Sequence, residues 1–99
     1  MSIKGNDAYL VVYWDSDKYN AAILKIYYSE AIAQKYFNKM YEEMVGHYSH
    51  LERLYLFEVP ISFLDTYELD ESKEPTSHNA NLIMNHLYEL HIIHENTLD

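Results

Sequence analysis

Six histidines and sixteen carboxylates give this 99-residue chain many groups able to move protons or hold a metal. His47 and His50 are three apart, as are His91 and His94, and His86 stands five before His91. Two imidazoles one turn apart on a helix can share a zinc ion. Here no Cys completes such a set, and nothing in the sequence brings the two pairs together. Asp15-x-Asp17 opens like a calcium loop. Such a loop then needs an oxygen ligand, a Gly and a Glu where this chain has Tyr19, Asn20 and Ile26. The segment reads instead as a polar turn. The chain has only Gly5 and Gly46, so no Gly-rich phosphate loop can form, and no G-x-S-x-G nucleophile motif occurs. The expectation is a protein without catalytic residues, cofactor or metal.

What remains is surface. Sixteen acidic residues stand against seven basic ones, a net charge of −9. Phosphate binding needs clustered Lys and Arg, so direct contact with nucleic acid or an anionic membrane is disfavoured and a basic partner is favoured. The stretch DTYELDESKEPTS, residues 65–77, holds Asp65, Glu68, Asp70, Glu71 and Glu74 against Lys73 alone. It reads as an exposed loop. With Glu42, Glu43 and Tyr41 these five acids are the candidate partner contacts. Glu30, Glu52 and Glu58 add to the acidic surface. Eleven tyrosines point the same way, because Tyr joins apolar area to a hydroxyl and is favoured at interfaces. Strands also favour Tyr, and both causes apply.

The elements that position these groups centre on residues 20–59. Asn20–Tyr28 reads as a strand, with Ala22, Leu24, Ile26 and Tyr28 on one face and Ile23, Lys25 and Tyr27 on the other. Ser29 can cap a following helix, with Glu30 in its first turn near the positive end of the dipole. Ala33, Tyr36, Phe37, Met40 and Met44 recur at three- and four-residue steps and form its apolar stripe. Gly46 can end it in a left-handed conformation. Arg53–Val59 reads as the next strand, ended by Pro60, with Ile61–Leu64 as a short extension. Before all of these, Ala8–Trp14 (AYLVVYW) reads as a buried strand joined by the turn Asp15–Tyr19 in an antiparallel hairpin.

The predicted fold class is therefore α+β, a single domain over residues 1–99. A three-stranded antiparallel sheet (ββαβ, order 2-1-3) carries one packed helix and a C-terminal helix over about His78–Glu95. On that last helix Ala80, Ile83, Met84, Leu87 and Leu90 make one apolar face, and Leu82, His86 and Ile93 make a second strip. An apolar stripe on two sides predicts self-association as a homodimer, through Leu82, His86 and Ile93.

Forty-eight per cent of the residues are hydrophobic, too many for a disordered chain, and the absence of Cys fits a reducing compartment. No apolar run reaches the roughly 18 residues of a membrane span, and MSIKGNDAY has no signal-peptide apolar core. A cytoplasmic location is the expectation.

YLVVYW followed by ILKIYYSEAIAQKYFNKM, the acidic DTYELDESKE, the small size and the lack of Cys give the chain a type. It resembles the short acidic proteins that bacteriophages and mobile elements make against host nucleic-acid machinery. That resemblance implies a viral inhibitor of a basic, nucleic-acid-binding host enzyme or defence complex, of the anti-CRISPR or anti-restriction kind, acting as a nucleic-acid mimic in the host cytoplasm. It carries over no functional residue. The competing expectation is a homo-oligomeric scaffold module working through the C-terminal helix.

Overall fold

A computed structural model describes residues 7–67, 69, 77–86 and 89–99. The elements follow in the order β1 (Asp7–Asp15), β2 (Asn20–Tyr27), α1 (Glu30–Met44), β3 (Glu52–Pro60), α2 (Ile61–Thr66), α3 (Ser77–Met84) and β4 (His91–Thr97). The class is α+β. The strands form one antiparallel sheet in the order β2-β1-β3-β4, which contains the predicted 2-1-3 order and adds a fourth strand to it.

β1 sits where its composition requires. Leu10, Val11 and Val12 are three consecutive side chains with no exposed surface. Since neighbours on a strand point to opposite faces, both faces must be covered. Ala8, Leu10 and Val12 join Tyr55, Phe57 and Val59 of β3 under α2 and α3. Val11 joins Leu54 and Leu56 of β3 under α1, through Ala33 and Phe37. The result is three layers, with α1 on one face of the sheet and α2 and α3 on the other.

α1 matches its sequence. Ser29 is the N-cap, its hydroxyl accepting from the Ile32 amide, and Gly46 has φ 87° just past the helix end. Ala33 and Phe37 are buried, while Tyr36, Met40 and Met44 pack half-buried at the edge of the same cluster.

Strict alternation on β2 does not hold. Val11 is opposite Lys25 and Val12 opposite Ile23, so Leu24 is the extra residue of a bulge. The bulge turns Ile23 and Ile26 to the same face, with Leu10 and Val12, and leaves Leu24 and Tyr27 on the α1 face. β2 is an edge strand, and α3 covers part of that edge: the Ala21 amide, turned away from β1, donates to Asn81 Oδ1 at 2.7 Å.

The C-terminal half departs most from expectation. Ile61–Thr66 is not a strand extension but the short helix α2, which starts directly after Pro60. The acidic stretch is not a uniform exposed loop: Asp65 belongs to α2, and Leu69 is buried, its amide bonded to the Leu64 carbonyl at 2.7 Å. The helix predicted over His78–Glu95 stops at Met84, and His91–Thr97 is β4, paired with β3. β3 supplies the reason. Leu54, Tyr55, Leu56 and Phe57 are all buried, so β3 is covered on both faces like β1, and its free edge needs a strand. Ile92, Ile93 and Thr97 are β-branched and suit that place.

Phe37→Ala removes the side chain that joins α1 to both central strands and is expected to cost about 3–5 kcal/mol. Asn81→Ala leaves the Ala21 amide without its acceptor and is expected to cost about 1 kcal/mol. Urea unfolding at unchanged m-value measures both.

Candidate interaction surface and the tyrosine–glutamate rows

Three glutamates of the sheet each accept a tyrosine hydroxyl. On the α1 face, Tyr9 of β1, Glu58 of β3 and His91 of β4 lie directly opposite one another in register. The Tyr9 hydroxyl donates to Glu58 Oε2 at 3.0 Å, and His91 Nδ1 lies 2.7 Å from Glu58 Oε1. At the other end of that face the Tyr13 hydroxyl donates to Glu52 Oε2, while the Ser49 amide donates to Glu52 Oε1 at 3.1 Å. On the opposite face Glu95 Oε2 accepts from Arg53 Nη1 at 2.7 Å and from the Tyr55 hydroxyl at 3.0 Å.

The proton affinities follow from these contacts. The bond to His91, then that from Tyr9, holds the Glu58 carboxyl below its ordinary 4.5. Burial first, and the Glu58 bond and charge second, push the Tyr9 hydroxyl up to about 12. Burial, with Glu52 beside it, also pushes Tyr13 up, and the Tyr13 bond, then the Ser49 amide, holds Glu52 down. A phenol kept protonated and a carboxylate kept ionised are poor partners for proton transfer near neutral pH. The rows tie strands together instead.

The histidine pairs separate in the same way. His91 is engaged with Glu58, and His94 stacks on Phe37 with ring centroids 5.1 Å apart. His47 and His50 lie exposed in the α1–β3 connector, and His86 bonds Glu89 at 2.6 Å. Among the described residues no three His, Asp or Glu side chains gather as a metal site, and no helix is long and apolar enough to cross a membrane.

The predicted contact residues do not form one patch. Glu42 and Glu43 are exposed and Tyr41 half-buried in the last turn of α1. Asp65 is exposed on α2, on the other face of the sheet and at its other end, next to Pro60. Glu68, Asp70, Glu71 and Glu74 lie outside the described residues. The self-association strip is also divided. Leu82 is exposed on α3 and His86 lies in the turn after it, but Ile93 is on β4 and packs half-buried against the α1-side core. The helical wheel that joined them assumed a helix that ends at Met84.

Sequence reasoning also missed the aromatic pairs at the β1–β2 turn. Tyr19 meets Trp14 edge-on with centroids 5.4 Å apart, and Tyr48 meets Tyr13 at 5.8 Å. The adjacent Tyr13-Trp14 dipeptide on a buried strand is the signal available for it, since one ring must reach each face. No protein-family model, curated protein or solved structure matches this chain.

The Glu58 row sets a pH dependence with a definite sign. A carboxyl held below its unfolded value stabilises above the ordinary carboxylate range and loses that contribution as pH falls through the folded value. Glu58→Gln is therefore expected to melt below wild type at neutral pH, with the gap closing as pH drops below 4.5. Tyr9, raised, contributes below its ordinary 10.0 and loses that contribution as pH rises through about 12, so Tyr9→Phe loses this alkaline limb. Circular-dichroism melts across the pH range read both.

Proposed function

We propose that this chain is a non-catalytic inhibitor that binds a basic, nucleic-acid-binding protein or complex through acidic, Tyr-bearing surface. The observation that carries the reading is the surplus of carboxylates, sixteen against seven Lys and Arg. Glu42, Glu43 and Asp65 stand exposed on helices rather than in the tyrosine rows. A field of that sign speeds encounter with a basic groove and repels nucleic acid from the same surface. The net charge of −9 supports mimicry of phosphate charge, in the manner of an anti-CRISPR or anti-restriction protein acting in the host cytoplasm.

The test uses immobilised chain and extract of the host cell. Retained protein is expected to be displaced by duplex DNA, because both compete for one basic surface. Reversal of Glu42 and Glu43, or of Asp65, Glu68, Asp70, Glu71 and Glu74, is expected to reduce retention by about tenfold or more for the set that makes contact. Retention that resists DNA and survives both reversals overturns the reading.

Self-association is the second reading, now through Leu82 and His86 without Ile93, because Leu82 is an exposed large apolar side chain of α3. Sedimentation at micromolar concentration is expected to show a dimer for wild type and a monomer for Leu82→Asp. An identical mass for the two removes it.

A further inference from the structure

Leu98, the residue after β4, is fully buried although its neighbours Thr97 and Asp99 are exposed. Its side chain belongs to the α1-side core with Ala33, Phe37 and Leu54. Its backbone extends the β3–β4 register by one place: Arg53 is opposite Thr97, and the Leu98 amide donates to the Glu52 carbonyl at 3.0 Å. A complete rung of an antiparallel ladder would return the Glu52 amide to the Leu98 carbonyl. Here that return bond is replaced by two others. The Glu52 amide donates to the Ser49 carbonyl at 3.1 Å, and the Leu98 carbonyl accepts from the Gly46 amide at 2.9 Å. The rung is thus split between the sheet and the α1–β3 connector.

The Gly46 end of that bond is equally specific. A helix that ends in a left-handed residue usually folds the following amides back onto its own carbonyls. α1 does so with the Val45 amide, on the Tyr41 carbonyl at 2.8 Å, and with the His47 amide, on the Met44 carbonyl at 3.1 Å. The Gly46 amide between them, at φ 87°, goes to Leu98 instead. A Cβ at Gly46 would meet nothing within 4 Å, so conformation rather than space asks for glycine. Residues 46–50 that follow are all exposed. Their far end is fixed by Glu52, whose carboxylate accepts from the Ser49 amide and the Tyr13 hydroxyl. The exposed connector therefore hangs between Leu98 and Glu52, and these two residues are bonded to each other.

We propose that Leu98 is a latch on the α1–β3 connector. Seated, it closes the α1-side core and holds Gly46. Withdrawn, it releases residues 46–50, with His47, Tyr48 and His50, from a sheet that stays intact. One residue supplies the amide, the carbonyl and the side chain, so the three contacts form and break as a set. β4 keeps attachments of its own to β3, through its ladder, the Arg53–Glu95 pair and the His91–Glu58 pair. Openings of this size lie between the fraying of an end and global unfolding. The latch goes beyond the inhibitor reading and does not depend on it.

Native-state hydrogen exchange on the wild-type chain, read by NMR, is the first test. The Leu98 and Gly46 amides are expected to share one protection, below that of the central amides of β1 and β3. Low urea is expected to change it little, because the opening exposes little surface. Each side of the bond is then altered and read at the other. Leu98→Ala removes most of the seated side chain and is expected to speed exchange at Gly46 about tenfold or more. Gly46→Ala strains the left-handed residue and is expected to speed exchange at Leu98 about fivefold or more. Protection of Leu98 and Gly46 equal to that of the central amides places Leu98 in the global core and overturns the latch. So does exchange at Leu98 faster than at Gly46, or a substitution at either position that leaves the other unchanged. If Leu98→Ala does not fold, the wild-type pattern and Gly46→Ala decide.

Discussion

The structure depends on a strand that can touch water nowhere along its middle. Leu10, Val11 and Val12 are fully buried in sequence, so β1 needs a strand on each edge and a helix on each face. Each such side chain, once covered, contributes about 1.5–3 kcal/mol. β2 and β3 supply the edges, α1 one face, and α2 with α3 the other. The same demand then passes outward. β3 is buried on both faces over Leu54–Phe57, so it cannot end the sheet, and β4 follows. Only the outer strands are free of the demand, and there the backbone turns irregular, with bulges at Leu24 and Ile93.

That hierarchy explains which parts of the fold could be read from the residues. β1 and α1 declare themselves because one pattern serves each: a continuous apolar run, and a stripe at helical spacing with Ser29 before it and Gly46 after it. β2 misleads because a bulge shifts the side-chain period by one, and no residue type marks Leu24 as the extra one. The C-terminal segment misleads for a different reason. Ala80, Ile83 and Met84 do belong to a helix, and the spacing continues by coincidence through Leu87 and Leu90. The sign against a longer helix lies elsewhere, in the unbroken LYLF of β3, whose burial on both faces calls for another strand. A long-range requirement of that kind is invisible to any window centred on residues 78–95.

The surplus of tyrosine and glutamate also divides on inspection of the sheet. Tyr9, Tyr13 and Tyr55 each place a hydroxyl on a glutamate, so part of both surpluses serves to satisfy polar ends of rings whose bodies lie against the core. A buried ring gains apolar contact only if its hydroxyl finds an acceptor. A carboxylate at the rim of a sheet supplies a strong one. Composition alone placed Glu52 and Glu58 on the acidic surface. Geometry engages both in bonds within the sheet and leaves Glu42, Glu43 and Asp65 exposed on the helices.

The candidate acids that remain cannot all meet one flat partner. The sheet and its two cores stand between Asp65 and the pair Glu42–Glu43, and the two groups lie at opposite ends of the strands. A rigid surface that covers one group faces away from the other. A partner that uses both must wrap the molecule, and one that uses a single group must draw its specificity from more than charge, because screened carboxylates on a helix discriminate poorly between basic proteins.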